Sequence, residues 1–277
     1  MKIIEKLKNK NYSLDTIGES GANVLVFDDS VLKIQKNKEE AQNELKTLLW
    51  LEKQEEIVSP RIFEAEIRDE NLFILMEKMN EKFSMACDKS FLSDEEVLSE
   101  NLAAGLNLFW KLDISNCPSK FNLEEKLRQA EENVKNNLVD VECFQSFNAE
   151  NTKNFKNPFE LLQWLKSNKP KIKEEEKCFS HGDFCLPNIF FNKDLKNTKK
   201  LKFFQKSPFG IIDVGRSGIL DRWNDIAICY RSLKDNTSGI YGKPEYRNFK
   251  TEKFFEKLNI EPDWKKIEYY LLLDELF

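Results

Sequence analysis

The spacing of the apolar residues changes near residue 80 of this 277-residue chain. Before that point, short β-prone runs alternate with turn sequences, apart from one helical pattern at residues 38–54. From about residue 93 onward, helical patterns dominate. We therefore expect a bilobal α+β protein, with an N-terminal antiparallel sheet and one main helix in 1–77, a linker at 78–80 and a mostly helical lobe in 81–277. The expected strands are residues 12–17, 24–27, 31–35, 62–67 and 72–77, with two more at 188–191 and 209–213.

Composition excludes several classes of protein. No apolar run approaches the roughly 20 residues needed to cross a bilayer, and the first residues do not resemble a signal peptide. The formal net charge of -5 argues against a nucleic-acid partner. Six cysteines are scattered without a CxxC pair, so neither a zinc site nor a disulfide framework is indicated. We expect a cytoplasmic monomer with no membrane partner.

Three side chains with oxygen ligands follow one another at a characteristic spacing in the second half of the chain. Asp183 is followed five residues later by Asn188, and Asp213 ends an apolar run. Kinase-like enzymes use this order to place a hydroxyl and Mg²⁺ around the γ-phosphate of ATP. The pattern predicts a phosphotransferase in which Asp183 orients or deprotonates the acceptor hydroxyl, while Asn188 and Asp213 bind the metal. We expect His181, the only histidine, to brace this loop.

A lysine and a glutamate in the N-terminal part are predicted to meet. Lys33 lies in a β-prone run, on the face opposite its apolar neighbours. Glu44 falls on the apolar stripe of the following helix, where a carboxylate needs a partner. Kinases use such a pair to direct the lysine onto the α- and β-phosphates of ATP. The turn containing Ser20, Gly21 and Ala22 precedes Lys33 at the position of a phosphate-covering hairpin.

Four segments together resemble the aminoglycoside 3'-phosphotransferases: residues 181–188, 212–218, 221–227 and 273–277. With the N-terminal part, the resemblance covers nearly the whole chain. It implies a protein-kinase-like fold with Mg²⁺ and ATP, or GTP as the alternative, bound between the lobes. It also implies transfer of the γ-phosphate to the 3'-hydroxyl of an aminoglycoside antibiotic such as kanamycin, and therefore antibiotic resistance.

The same resemblance assigns roles to further residues. It implies a hinge beside the adenine that includes Glu77 and Met79. Arg216 would lie near the acceptor, and Asp225 would brace the catalytic loop. The lysine-rich stretch 192–208 is longer than is typical of the family, and the sequence leaves its role open.

Negative charges gather at the end of the predicted C-terminal helix. Asp274, Glu275 and the terminal carboxylate of Phe277 lie where the helix dipole is already negative, so a cation is expected nearby. The ammonium groups of an aminoglycoside would form charge-assisted hydrogen bonds with these carboxylates. Glu160 and Asp235 are further acidic candidates for acceptor binding.

Two other functions stay open at this point. The same fold supports kinases of other small alcohols or amino alcohols, and a nucleotide-binding protein without catalysis would keep the fold as well. The sequence also does not determine which aminoglycosides are modified, whether ATP or GTP is preferred, or the oligomeric state.

Overall fold

The computed structural model of the chain describes residues 2–14, 22–36, 38–80, 83–86, 92–119, 121–140, 144, 155–191, 209–240 and 250–277. The chain divides into two compact units. The first comprises Met1–Phe91, Asn116–Ser119 and Leu186–Ser217, and the second comprises Leu92–Ser115, Lys120–Cys185 and Gly218–Phe277. The functional division of the sequence at residues 77 and 81 stays a prediction.

The first unit is built on a five-stranded antiparallel sheet, in which the strands lie in chain order except that the fifth strand pairs with the third and the fourth lies at the edge. Helix α2 (Glu39–Leu51) is the expected main helix. Helix α1 (Lys2–Leu7) was not predicted, because six residues are too few for a clear helical pattern. The strands are β1 (Ser13–Leu14), β2 (Asn23–Val26), β3 (Ser30–Lys36), β4 (Ile62–Arg68) and β5 (Asn71–Glu77).

The alternation of side chains along β3 separates two environments. Leu32 and Ile34 pack with Ile3 and Leu7 of α1 in an apolar cluster on one face of the sheet. Burial of this apolar surface holds the short helix α1 in place. Lys33 points to the opposite face and is nevertheless buried, with only 7% of its surface exposed. The charged side chain of Lys33 therefore lies in a buried environment on this face of the sheet.

A second, two-stranded ladder in the first unit pairs β7 (Ile189–Phe191) with β8 (Phe209–Ile211). Strand β7 begins one residue later than predicted, and β8 ends two residues earlier. Asn188 instead ends a short 3-10 turn, and Asp213 has a φ of 59°, a left-handed conformation that a strand cannot accommodate. The stretch 192–208 lies outside the described residues.

The second unit is mainly helical, so the predicted α+β class is confirmed. A short antiparallel pair, β6 (Lys177–Ser180) with β9 (Gly218–Asp221), was not predicted, because four-residue strands carry little sequence pattern. The helices and strands of this unit are α3 (Glu95–Lys111), α4 (Leu123–Lys135), α5 (Pro158–Ser167), β6 (Lys177–Ser180), β9 (Gly218–Asp221), α6 (Trp223–Thr237), α7 (Lys253–Leu258) and α8 (Trp264–Asp274).

Side-chain caps explain where several of these helices begin. Each cap is an Asp or Asn whose side-chain oxygen accepts the N–H three residues ahead, which typically contributes about 1 kcal/mol. These caps are Asp94 for α3, Asn122 for α4, Asn157 for α5 and Asp263 for α8.

A buried lysine fastens α8 to the rest of the second unit. Lys266 donates to Glu176 Oε2 at 2.9 Å and to Asp221 Oδ2 at 2.7 Å. Tyr270 also donates to Asp221, and the indole N–H of Trp223 donates to Glu176, both at 3.3 Å. Because the two carboxylates are almost inaccessible to water, they depend on these partners. The network fixes the helix that leads to Asp274 and Glu275.

Within the described ranges, no helix combines the length and the apolar character needed to cross a membrane.

Candidate active site

Lys33 lies at the centre of a buried ionic network in the first unit. Its Nζ donates to Glu44 Oε1 of α2 at 2.9 Å and to Asp213 Oδ1 at 2.8 Å. Gln35, also on β3, donates to the other oxygen of Glu44 at 2.7 Å. The faces predicted for the strand and the helix therefore do bring Lys33 and Glu44 together. Asp213 joins them from a position 180 residues further along the chain.

The network keeps the ammonium group of Lys33 charged. Burial alone would lower the pKa of Lys33, but the carboxylates of Glu44 and Asp213 outweigh burial and raise it above its usual 10.5. Glu44 has 3% of its side chain exposed, whereas Asp213 has 38% exposed. Asp213 therefore accepts from Lys33 while part of its carboxylate stays exposed to solvent.

Asn188 and Asp213 occupy neighbouring positions at the ends of β7 and β8. The ladder pairs Ile189 with Ile211, and the backbone N–H of Ile212 donates to the carbonyl of Asn188 at 3.1 Å. An amide oxygen and a carboxylate are hard donors that suit Mg²⁺, so this pair of side chains fits the implied metal. No group of three or more His, Cys, Asp or Glu side chains suited to a metal occurs among the described residues. Mg²⁺ does not require one, since phosphates and water complete its shell.

Asp225 holds the backbone of the loop that carries Asp183, as the resemblance implied. Its carboxylate accepts from Ser180 Oγ at 2.8 Å, from the N–H of His181 at 2.7 Å and from the N–H of Gly182 at 3.0 Å. Gly182 has a φ of 85°, which favours glycine at this turn. Asp183 follows directly, half-buried, in the second unit, whereas Asn188 and Asp213 belong to the first.

His181 is packed as a structural residue. Its ring is fully buried, stacks against Phe109 at 6.5 Å between centroids, and meets the edge of Phe184 at 6.1 Å. The Nδ1 atom accepts from the backbone N–H of Asp183 at 3.3 Å. A histidine used in this way positions the aspartate, which agrees with the expected role as a brace.

Lys126 was missed by the sequence reasoning. It lies on α4, is 3% exposed, and donates to the carbonyl of Gly182 at 3.0 Å. Its Nζ also lies 5.7 Å from the ring centroid of Phe277, within the range of a cation–π contact. The lysine therefore contacts both the Asp183 loop and the C-terminal residues.

The acidic residues at the end of α8 already have a cationic partner in the chain. Arg231 of α6 donates one N–H to Asp274 and another to Glu275, the latter at 2.8 Å. Asp235, one turn after Arg231, is close enough to raise the pKa of Arg231 and of Glu275. The expected concentration of charge is therefore present, but the sequence did not reveal that Arg231 partly neutralises it. We call Arg231, Asp235, Asp274 and Glu275 the acidic cluster.

The remaining candidates lie in different surroundings. Glu160 is exposed and accepts from the backbone N–H of Lys156 at 2.8 Å, beside the start of α5. Arg216 belongs to the first unit and pairs with Glu40 of α2 at 3.3 Å. These contacts give both residues a structural partner, and their acceptor-binding roles stay proposals.

The described candidates for nucleotide contacts lie at the end of β5 and directly before β2. Glu77 ends β5, and Met79 is buried in an apolar cluster with Val58, Phe83 and Phe190. Ala22 is half-buried directly before β2. Ser20 and Gly21 lie outside the described residues.

Comparisons with known proteins agree with this arrangement. Residues 13–247 match the phosphotransferase enzyme family. Over 240 residues the chain is 37% identical to an aminoglycoside 3'-phosphotransferase of Enterococcus faecalis, covering 86% of this chain and 79% of the relative. It is 36% identical to an aminoglycoside 3'-phosphotransferase of Staphylococcus aureus, and that match covers 86% of this chain and 80% of the relative. Among solved structures, aminoglycoside phosphotransferase APH(3'')-Id of Streptomyces rimosus matches with a TM-score of 0.78 at 21% identity, covering 99% of this chain and 95% of that one.

The fold, the Lys33 network and the family match together define a phosphotransferase with a protein-kinase-like fold. The chain belongs to the phosphotransferase enzyme family and, within it, to the aminoglycoside 3'-phosphotransferases. The resemblance identified from the sequence motifs is thereby confirmed.

Proposed function

We propose that this enzyme transfers the γ-phosphate of ATP to the 3'-hydroxyl of aminoglycosides such as kanamycin, and so confers resistance to them. The observation that carries the proposal is the buried Lys33, which bonds Glu44 and Asp213 at once. A charged lysine held by two carboxylates is suited to contact phosphate oxygens. Because transfer needs ATP, we also propose a cytoplasmic enzyme, and we retain the expectation that it acts as a monomer.

Different residues of the chain would bind the phosphates and the metal. The charged Lys33 would pair with the phosphates, and Glu44 would hold Lys33 in the required direction. Asn188 and Asp213 would hold Mg²⁺, since both offer hard oxygen donors and Asp213 is partly exposed. Mg²⁺, when bound, neutralises phosphate charge. Glu77 and Met79 would contact the rest of the nucleotide, together with Ser20, Gly21 and Ala22, which the sequence predicts to cover the phosphates.

Asp183 would orient the acceptor hydroxyl and accept its proton. With the loose transition state typical of phosphoryl transfer, positioning contributes at least as much as early proton removal. The surrounding hydrogen bonds suit this work, because Asp225 binds the loop's N–H groups and Lys126 binds the carbonyl of Gly182. The carboxylate therefore stands on a backbone with little freedom to shift.

The acidic cluster would bind the ammonium groups of the acceptor. Its three carboxylates exceed the single guanidinium of Arg231 by two charges when all are ionised. Arg231 fixes the direction of Asp274 and Glu275, which avoids an entropic cost on binding. The excess negative charge favours a polycationic sugar over a neutral small alcohol.

A panel of aminoglycosides tests the proposal. We expect Mg²⁺-dependent ADP release with kanamycin and with other aminoglycosides that have a 3'-hydroxyl, and none with analogues that lack it. ATP and GTP are compared as donors in the same assay, together with neutral sugars and small amino alcohols as acceptors. Turnover of the analogues would contradict the 3' position. ADP release only with a small amino alcohol would favour the other class of kinase.

Acceptor binding should depend on pH through Glu275. Burial raises the pKa of Glu275 to about 7, and Asp274 acts in the same direction, although Arg231 opposes them. The carboxylate therefore becomes negative as pH rises through about 7, and we expect the KM for kanamycin to fall between pH 6 and 8. Kinetics of a Glu275→Gln variant provide the control, because that variant loses the Glu275 titration and keeps every other one, including those of the nucleotide phosphates and of the antibiotic's own amines. Identical pH profiles for the two proteins would contradict a binding role for Glu275.

A further inference from the structure

Asn43 is a buried amide beside the candidate metal site. It precedes Glu44 on α2, is 6% exposed, and belongs to the first unit. Its Nδ2 donates to the carbonyls of Gly215 and Ser217, at 2.9 Å in each case. A primary amide has two N–H donors, so both are used on this one segment. No local pattern predicts this contact, because the residues are 172 and 174 positions apart.

The segment that Asn43 binds begins directly after Asp213. Ser217 closes a turn on Val214, since its backbone N–H and its Oγ both donate to the Val214 carbonyl, at 3.1 and 2.7 Å. Asp213 itself has a φ of 59°, which a residue other than glycine rarely adopts. Such a conformation persists only where the surrounding contacts impose it. Asn43 supplies two such contacts, on Gly215 and Ser217.

Helix α2 therefore reaches Asp213 in two ways. Glu44 binds Lys33, which donates to the Asp213 side chain at 2.8 Å. The preceding residue, Asn43, binds the backbone that follows Asp213. Together these contacts connect α2, β3 and the Asp213 segment to one another. A shift of the segment along α2 would break the Asn43 bonds and move the carboxylate relative to Lys33.

We propose that Asn43 is a positioning residue for the metal site, which sets the direction of the Asp213 carboxylate by clamping the two carbonyls behind it. The role rests on the proposed function, in which Asp213 is a metal ligand. Residues that orient a metal ligand through hydrogen bonds typically change metal affinity about 10- to 100-fold when they are replaced. A residue that only packed α2 against the segment would change stability without this selective loss.

Binding of Mn²⁺ tests the role without relying on turnover. Mn²⁺ takes the same oxygen ligands as Mg²⁺, and electron paramagnetic resonance measures its free concentration in titrations of the enzyme–ADP complex, corrected for ADP alone. We expect Asn43→Asp and Asn43→Ala to weaken Mn²⁺ binding about 10- to 100-fold. ADP affinity in EDTA should stay within about twofold, because Lys33 and Glu44 keep their pair. If the aspartate variant does not fold, the alanine variant carries the test.

Asn107→Asp is the matched control. Asn107 on α3 also donates its side-chain amide to a backbone carbonyl, that of Ala103, at 2.9 Å, but it belongs to the second unit. We expect its Mn²⁺ affinity to equal that of the wild type. Unchanged Mn²⁺ affinity in both folded Asn43 variants would overturn the role, as would an equal loss in Asn107→Asp. A wild-type ADP complex that binds no Mn²⁺ would instead overturn the metal site itself, and this role with it.

Discussion

Replacing Asp183 with alanine should lower kcat by about 10²- to 10⁴-fold, the usual contribution of a residue that positions and deprotonates a hydroxyl. Nucleotide affinity should change little, because the proposed contacts to the phosphates and the metal are made by other side chains, those of Lys33, Asn188 and Asp213. The loop should keep its path, since the hydrogen bonds from its backbone to Asp225 do not involve the Asp183 side chain. Steady-state ADP release and ADP binding by calorimetry measure the two effects separately.

Asp183→Asn provides the matched comparison for this experiment. It keeps the shape of the side chain and removes its charge, so it separates proton acceptance from simple positioning of the hydroxyl. A larger kcat for the asparagine variant than for the alanine variant would assign the difference to positioning. Wild-type turnover by Asp183→Ala would show that the spacing of Asp183 and Asn188 had been misinterpreted.

Replacing Lys266 with methionine should lower the free energy of unfolding by about 3 kcal/mol, because breaking a buried pair leaves uncompensated charge inside the protein. Glu176 and Asp221 both lose their ammonium partner, and Asp221 has no exposed side-chain surface. For a chain of this length, we expect the Tm to fall by roughly 5–10 °C. Thermal and urea denaturation followed by circular dichroism measure the loss.

The loss of unfolding free energy in Lys266→Met should become smaller as the pH is lowered. Burial already raises the pKa of Asp221 above its usual 3.8, against the opposing effect of Lys266. A carboxyl whose pKa is raised on folding stabilises the protein below its unfolded pKa and loses that contribution as pH rises through the folded value. Without Lys266 the pKa of Asp221 rises further, so lowering the pH from 8 toward 5 should recover stability.

Lys265→Met is the control for Lys266→Met. Lys265 is the preceding residue of α8 and is exposed, so removing its charge should change the free energy of unfolding by less than about 0.5 kcal/mol. An equal destabilisation by both variants would contradict the network as its cause. A triple variant that also carries Glu176→Gln and Asp221→Asn should recover part of the loss, because no buried charge then lacks a partner.

Local sequence pattern was sufficient to predict the contact between Lys33 and Glu44. Period-2 alternation placed Lys33 opposite the apolar face of β3, and the helical period placed Glu44 on the inward stripe of α2. These two elements follow one another in the chain, so their faces decide the pairing almost alone. The same reasoning misplaced the ends of β7 and β8, because the left-handed backbone of Asp213 has no signal in hydrophobicity.

The C-terminal charges show where pattern reasoning stops. The sequence shows that Asp274 and Glu275 end a helix and need a cation, and it led us to assign that cation to a ligand. The structure places Arg231 against both, from a helix more than 40 residues earlier in the chain. Seven arginines precede the tail, and only the packing of α6 against α8 selects this one.

Residue type and local period predicted the α+β class and the pairing of Lys33 with Glu44, whereas the family was identified from the resemblance of four motif segments, two of which contain Asp183, Asn188 and Asp213. The three-dimensional packing was needed to show which buried groups hold the candidate residues: Asn43 on the Asp213 segment, Lys126 on the Asp183 loop and Arg231 in the acidic cluster. Each of those contacts joins elements far apart in the chain. These contacts form because a buried donor or charge needs a hydrogen-bonding partner. The packing of the elements determines which partner lies within reach.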